Sequence, residues 1–285
     1  MPIPAPVLVA TDLTPDAEPA LVRGLAHARS IGAPLVVCHV VPDVMRAHPL
    51  MPAPHDSDTE RTATLVERAA ELVTEQVGRV LHVSADEYTV AVESGNAEDE
   101  IVRCAEEQKA VLVVVGAKPR SGAERLLGHV AERVVRYAHT PVLVARPGHP
   151  KRRILVATDF TPCSLSAVRF AADVMKAAEV GGTLLHVHRT PITVLADPLS
   201  PKSSFAELEN AGKKRVAELA AEHGFAAAEQ IEGDPASVIV RRAEELDVEM
   251  IMMGSRGRTG LVRLVLGSTA EKVIRSSHCS VLVTR

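Results

Sequence analysis

The chain of 285 residues repeats itself once, and this repeat sets what it can fold into. Val7 to Pro15 (VLVATDLTP) returns as Ile154 to Pro162 (ILVATDFTP), with seven identities in nine positions. Gly95 to Gly116 aligns with Gly233 to Gly254 without a gap. Gly128 to Arg146 aligns with Gly267 to Arg285, ten identities in nineteen. A period of roughly 140 residues is far longer than a solenoid repeat, so the chain consists of two homologous domains. The stretch Arg146-Pro-Gly-His-Pro-Lys-Arg152 breaks any regular element and joins domain 1–146 to domain 153–285 through a linker at 147–152.

Within each half, short apolar runs alternate with helical periodicity. In the second half the pattern predicts strands over 154–158, 183–188, 226–232, 250–254 and 280–284. It predicts helices over 164–178, 205–223, 235–245 and 268–277. Strand and helix in series, with strands apolar on both faces, imply an α/β fold: a parallel sheet with helices on both sides and right-handed crossovers. A ligand crevice is then expected at the carboxyl ends of the strands, where the strand order reverses.

Composition agrees with this and removes several functions. Hydrophobic residues make up 46%, charged residues 24% and aromatics 2%, with no Trp, so the core must be Val, Leu, Ile and Ala. Stacking platforms for single-stranded nucleic acid are nearly absent. Residues 1–145 carry 13 basic and 20 acidic side chains, and residues 146–285 carry 19 and 16. That balance is too mild for a duplex-binding protein, and it makes the second half the better host for an anion. No apolar run reaches a membrane span, and the start has no basic leader, so a cytoplasmic protein with no membrane or nucleic-acid partner is expected. Cys38, Cys104, Cys163 and Cys279 have no metal-like spacing and read as reduced thiols.

The most informative stretch is Gly254-Ser-Arg-Gly257, followed after nine residues by Gly267-Ser268-Thr269. Glycines at a strand end permit a sharp turn and close approach of backbone amides. The helix that follows offers free N–H groups and a favourable dipole to a phosphate. Arg256, Arg258 and Arg263 stand in the intervening segment with no acidic residue among them. Ser268-Thr-Ala-Glu271 also reads as a capping box that merely satisfies the helix start, and both readings stand at this point.

The spacing Gly254-x2-Gly257-x9-Gly267-Ser268 after the strand ending Ile251-Met-Met253 resembles the ATP-binding signature of the universal stress protein family. Thr158-Asp159 at the end of the first strand and Leu185-His-Val187 in the second resemble that family too. The whole chain resembles a tandem member. The resemblance implies two Rossmann-like domains of the adenine nucleotide alpha hydrolase-like type, each a five-stranded parallel sheet with helices on both faces. It implies that Thr158, Asp159 and the backbone of Val187 line an adenosine pocket, with Met253 as a flexible apolar contact. Gly254, Arg256, Gly257, Gly267, Ser268 and Thr269 then surround ribose and phosphates, and ATP, with or without Mg²⁺, is the implied cofactor. For Asp159 a local Asx turn before Phe160-Thr-Pro explains the residue equally well.

The first half departs from the pattern. Gly116-Ala-Lys-Pro119 is followed after eight residues by Gly128-His129, so Pro119 replaces the second glycine and His129 the helix-opening hydroxyl. Asp12 remains. Weak or absent nucleotide binding is expected there.

His186 and His188 share one strand face, but no third ligand stands at a recognisable spacing, so no metal site is assigned. His139 and His278 recur at equivalent positions and read as helix-end residues. There is no GxGxxG after the first strand, no GxxxxGK[ST] and no GxSxG, which removes dehydrogenase, P-loop and hydrolase readings. No catalytic residue is assigned; slow ATP hydrolysis is the most the chain would do, without an identifiable base. The leading function is a nucleotide-regulated stress protein, with ATP in the second domain controlling conformation or assembly. The competing one is a structural or interaction module of the same fold that binds no nucleotide.

Residues 43–62 and 190–204, rich in proline and polar residues, are expected to lack regular structure. The last strands, 142–145 and 281–284, are expected at sheet edges, covering each other within one chain, with a homo-oligomer as a further expectation.

Overall fold

Short runs rich in valine, leucine and alanine form most strands of this chain, and all but the last strand of each repeat precede a helix. The computed structural model describes residues 5–42, 56–117, 128–148, 153–189, 202–257 and 266–285, which fall into two compact units dividing between Arg146 and Pro147.

The first unit runs β1 (Val7–Ala10), α1 (Glu18–Ile31), β2 (Leu35–Pro42), α2 (Asp56–Leu81), β3 (Tyr88–Gly95), α3 (Ala97–Glu107), β4 (Leu112–Gly116), α4 (His129–Tyr137) and β5 (Val142–Ala145). Its sheet is parallel throughout, in the order β3-β2-β1-β4-β5. The second unit runs β6 (Arg153–Thr158), α5 (Pro162–Ala178), β7 (Gly181–His188), α6 (Lys202–Glu222), β8 (Ala227–Glu232), α7 (Pro235–Glu245), β9 (Met250–Gly254), α8 (Ser268–Ser276) and β10 (Ser280–Thr284). Its order, β10-β9-β6-β7-β8, is the same topology, again all parallel. In both units the chain reverses its direction of travel across the sheet at the first strand. That is the switch point where a doubly wound sheet opens a crevice.

The strands are buried as the composition requires. Val7, Leu8 and Val9 in β1, and Leu155 and Val156 in β6, are fully enclosed, as are Val113 and Met252 in the neighbouring strands. The repeat extends to backbone geometry. Gly95 and Gly233 each stand at φ 150° just before a helix, a conformation that side chains disfavour. Leu13 and Phe160 share φ 64°, directly after Asp12 and Asp159.

Helix starts are set by short polar side chains. Asn96 accepts from the Glu98 amide at 3.2 Å, and Asp234 from the Ser237 amide at 3.2 Å, with Pro235 at the first helical position.

Two expectations need correction. Residues 56–62 open α2 and residues 202–204 open α6. The proline-rich composition of the preceding residues masked helix starts that the apolar stripes further on support. Positions 43–55 and 190–201 lie outside the described residues. Within each unit's own five strands, β5 and β10 stand at one end of the order. No helix among the described residues is long and apolar enough to cross a membrane.

Candidate functional site

The turn after β6 is built from hydroxyls. Ser164, buried in the first turn of α5, places its Oγ 3.1 Å from Thr158 Oγ1, accepts from the Asp159 amide at 3.3 Å and donates to the Thr161 carbonyl at 3.0 Å. Thr158 Oγ1 in turn accepts from the Phe160 amide at 3.0 Å, which holds Phe160 in its left-handed conformation. Asp159 Oδ1 accepts from the Thr161 amide at 3.1 Å and from the Thr161 hydroxyl at 2.6 Å. The Asx turn is therefore present, and it uses one carboxylate oxygen. The other faces Gly257: a Cβ built on that glycine would lie 2.9 Å from Asp159 Oδ2.

On the opposite side, the glycines serve close approach. A Cβ on Gly254 would lie 2.7 Å from the Ser164 amide nitrogen and 2.8 Å from the Cys163 carbonyl carbon. One on Gly267 would lie 3.1 Å from the Ser255 carbonyl oxygen. None of Gly254, Gly257 and Gly267 adopts the left-handed region, so the conformational half of the expectation for these glycines does not apply. Gly267 donates its amide to the Ser255 carbonyl at 2.8 Å and is itself the N-cap of α8, at φ −67° and ψ 145°. Having no side chain, it caps nothing. The capping-box reading of Ser268 and Glu271 is not what forms, and the first amides of α8 keep no side-chain partner.

These parts enclose one cavity of about 150 Å³ at the carboxyl ends of β6, β7 and β9. All ten residues that the resemblance assigns to the site line it, while Arg258 and Arg263 lie outside the described residues. Thr158, Asp159, Val187 and Met253 come from strand ends, Gly254, Arg256 and Gly257 from the loop after β9, and Gly267, Ser268 and Thr269 from the start of α8. Ser164, Ser255, Pro235 and Ile239 also line it and were not anticipated. Ser164 was readable as part of the Thr-Pro-x-Ser helix start. Ser255 was hidden inside the glycine spacing. Its Oγ is fully buried and has no hydrogen-bond partner within the protein. Positive charge collects on this side. Burial, and then the charge of Arg256, push the Arg285 guanidinium below its ordinary value.

The model of the universal stress protein family matches this chain twice, over residues 5–146 and 151–285. The chain belongs to the universal stress protein family. A universal stress protein of Mycobacterium tuberculosis, Rv2005c, is 28% identical over 98% of this chain and 96% of its own. MJ0531 of Methanocaldococcus jannaschii, another universal stress protein, is 34% identical over 47% of this chain and 82% of its own. In structure, a universal stress protein from Archaeoglobus fulgidus matches 99% of this chain and 98% of its own with TM-score 0.68 at 22% identity, which speaks for the fold alone.

The first universal stress protein domain has its own cavity at the corresponding strand ends, and at about 450 Å³ it is the larger of the two. No linear pattern along the chain signals this. Ala17 occupies the place of Ser164, and the Thr11 hydroxyl donates instead to Gln76 Oε1 at 2.7 Å, a buried side chain from α2. Asp12 repeats the Asx turn with Thr14.

The histidines have structural partners. Nδ1 of His186 donates to the Thr158 carbonyl and Nδ1 of His39 to that of Thr11, both at 2.8 Å. His139 lies 3.7 Å from Glu106, and His278 lies 3.9 Å from Glu244 at the equivalent place. Among the described residues, no group of three or more His, Cys, Asp or Glu side chains is arranged to hold a metal. The four cysteines are free thiols, Cys163 half-buried beside the second cavity and the others buried.

Proposed function

We propose that this universal stress protein binds ATP in its second domain and that the nucleotide acts as a regulatory ligand for conformation or assembly. The observation that carries this reading is the junction of two half-sites around one cavity. The Thr158–Asp159 turn presents a carboxylate oxygen from one side, and the uncapped start of α8 with Arg256 presents donors and positive charge from the other. A carboxylate that accepts from hydroxyl and amine groups suits a nucleoside. Free helix amides beside an arginine suit phosphates. The buried, partnerless Ser255 hydroxyl supports a bound polar group at this place. In this reading Asp159 and Val187 hold the nucleoside, while Arg256, Gly257, Ser268 and Thr269 hold the phosphates. Arg256, which lines the cavity, supplies positive charge for the phosphates.

At about 150 Å³ the cavity is below the roughly 300 Å³ at which small-molecule sites begin, so nucleotide entry requires it to widen. That same observation favours the competing reading, an interaction module that holds no nucleotide. Titration calorimetry of the full chain with ATP, in the presence and absence of Mg²⁺, separates the two. Saturable binding that is lost in Gly257→Pro supports the regulatory reading, and no heat at millimolar ATP overturns it.

A further inference from the structure

The first domain brings together two thiols, Cys38 of β2 and Cys104 of α3, and the packing shows on which face they meet. A Cβ built on Gly24 of α1 would run into Val9 Cγ2, so Val9 points to the α1 side of the sheet. Side chains alternate along a strand, so Ala10 points to the opposite side. Cys38 stands beside Ala10 in register and shares its face. α3 packs against β2, and its Ile101 lines the same cavity as Ala10 and Val40. Cys104 follows Ile101 by one helical turn, as Cys38 precedes Val40 by one pleat. The strand runs toward the cavity and the helix away from it. The two thiols therefore lie one layer beneath the wall formed by Val40 and Ile101, at 0% and 2% exposure.

The second domain has no such pair. Leu185 stands in the place of Cys38 and Arg242 in the place of Cys104. Arg242 reaches back to Glu229 with Nε and Nη2, both at 2.6 Å, and Glu229 stands beside Leu185 in register. In the first domain that register position holds Ala91, whose small side chain leaves Cys104 free to approach β2. Three positions thus differ together. The two thiols share a hydrogen bond, donated by Cys38 and accepted by the Cys104 sulfur. That bond, helped by the charge of Arg103, holds the Cys104 thiol below its ordinary value against the effect of burial. The Cys38 thiol is pushed up, first by the same bond and then by burial.

We propose that Cys38 and Cys104 form an oxidisable dithiol, a modification site at which hydrogen peroxide joins β2 to α3 through an intrachain disulfide. Cys104, as the thiolate, attacks one peroxide oxygen. The O–O bond breaks, hydroxide leaves with its electron pair, and Cys104 becomes a sulfenic acid. The Cys38 sulfur then attacks the Cys104 sulfur, the S–O bond breaks, and the Cys38 proton leaves with the hydroxyl as water. The proton first lost by Cys104 neutralises the hydroxide. Two thiols have given up two electrons, and one peroxide has become two waters. The first-domain cavity gives a small oxidant its approach, with Val40 and Ile101 as the wall above the sulfurs. The bridge closes a loop of chain that contains α2 and β3.

The test treats the native full chain with hydrogen peroxide, quenches with a thiol-alkylating reagent in denaturant, and maps the peptides by mass. Cys38 and Cys104 are expected to disappear together into one cross-linked peptide pair, two hydrogens lighter than the separate thiol peptides. Dithiothreitol is expected to restore both. Their loss is expected to be at least tenfold faster than that of Cys279, which is as deeply buried in the other domain. Cys38→Ser removes the second thiol and is expected to leave Cys104 as a sulfenic acid that dimedone captures. A folded Cys38→Ser chain without that adduct would overturn the proposal. The map of the unaltered chain decides the matter without any variant. Cys38 and Cys104 still reduced after Cys163 has oxidised, Cys104 carried to sulfinic acid with no cross-link, or a cross-link that forms only after urea has unfolded the chain would each overturn it.

Discussion

At the residue scale, Gly257 and Ser164 carry the second site in different ways. A Cβ at Gly257 would lie 2.9 Å from Asp159 Oδ2, so a side chain there moves that carboxylate. Gly257→Pro is expected to weaken ATP at least tenfold with little loss of stability, since the first domain carries proline at this place in its loop. The estimate follows from losing one or two charge-assisted contacts of about 1.5–3 kcal/mol each. An unchanged dissociation constant in calorimetry would show that the loop does not touch phosphate. Ser164 is required for order: its one hydroxyl serves Thr158, Asp159 and Thr161. Ser164→Ala leaves the buried Thr158 hydroxyl and the Asp159 amide short of a partner and is expected to cost about 1–3 kcal/mol in urea unfolding. A loss below about 0.5 kcal/mol would mean that the turn is held by its backbone alone. Gly257 was legible because the spacing of glycines is a linear pattern. Ser164 was legible only as a helix start, because its three partners converge in space.

At the element scale, α7 is held at its start by Asp234, which accepts from the Ser237 amide and hydroxyl and pairs with Arg189. The hydrogen bond from the Ser237 amide, more than any other interaction, holds this carboxyl below its ordinary value of 3.8. A carboxyl lowered in the folded state stabilises fully above its unfolded value, and that contribution fades as pH falls through the folded one. Asp234→Ala is therefore expected to cost about 1 kcal/mol at pH 7, and the gap between variant and parent should narrow as pH drops below 3.8. Urea unfolding at several pH values checks both size and sign, and a constant gap down to pH 2.5 would remove the cap from the account. The strands were readable from their apolar runs almost to the residue. The starts of α2 and α6 were not, because proline-rich composition says where a helix cannot be and leaves open where it begins.

For the whole molecule, the two homologous domains carry different residues at corresponding strand and helix ends. One ATP per chain is expected, because the second domain has Gly257 and Ser268 where the first has Pro119 and His129. Calorimetry that returned two equal ATP sites per chain would defeat this asymmetry. The universal stress protein fold supplies both cavities at the same switch point, and substitutions at a handful of strand and helix ends make the two cavities differ.

The sequence by itself determined the duplication, the parallel α/β class and ten of the residues around the second cavity. All three are written as linear patterns: a 138-residue offset from Gly95 to Gly233, apolar runs between turns, and glycines at fixed spacing. Only the tertiary structure decided that the first domain keeps a cavity at all, and the larger one. Pro119 and His129 look like damage along the chain. Yet room remains at the strand ends, lined by Ala17 where the other half has Ser164, and by His39. Whether a site is lost or altered depends on the volume and charge that distant residues leave between them. Glu98 meets His129 across 31 positions of sequence, a neighbourhood that exists only once the sheet has brought α3 beside α4.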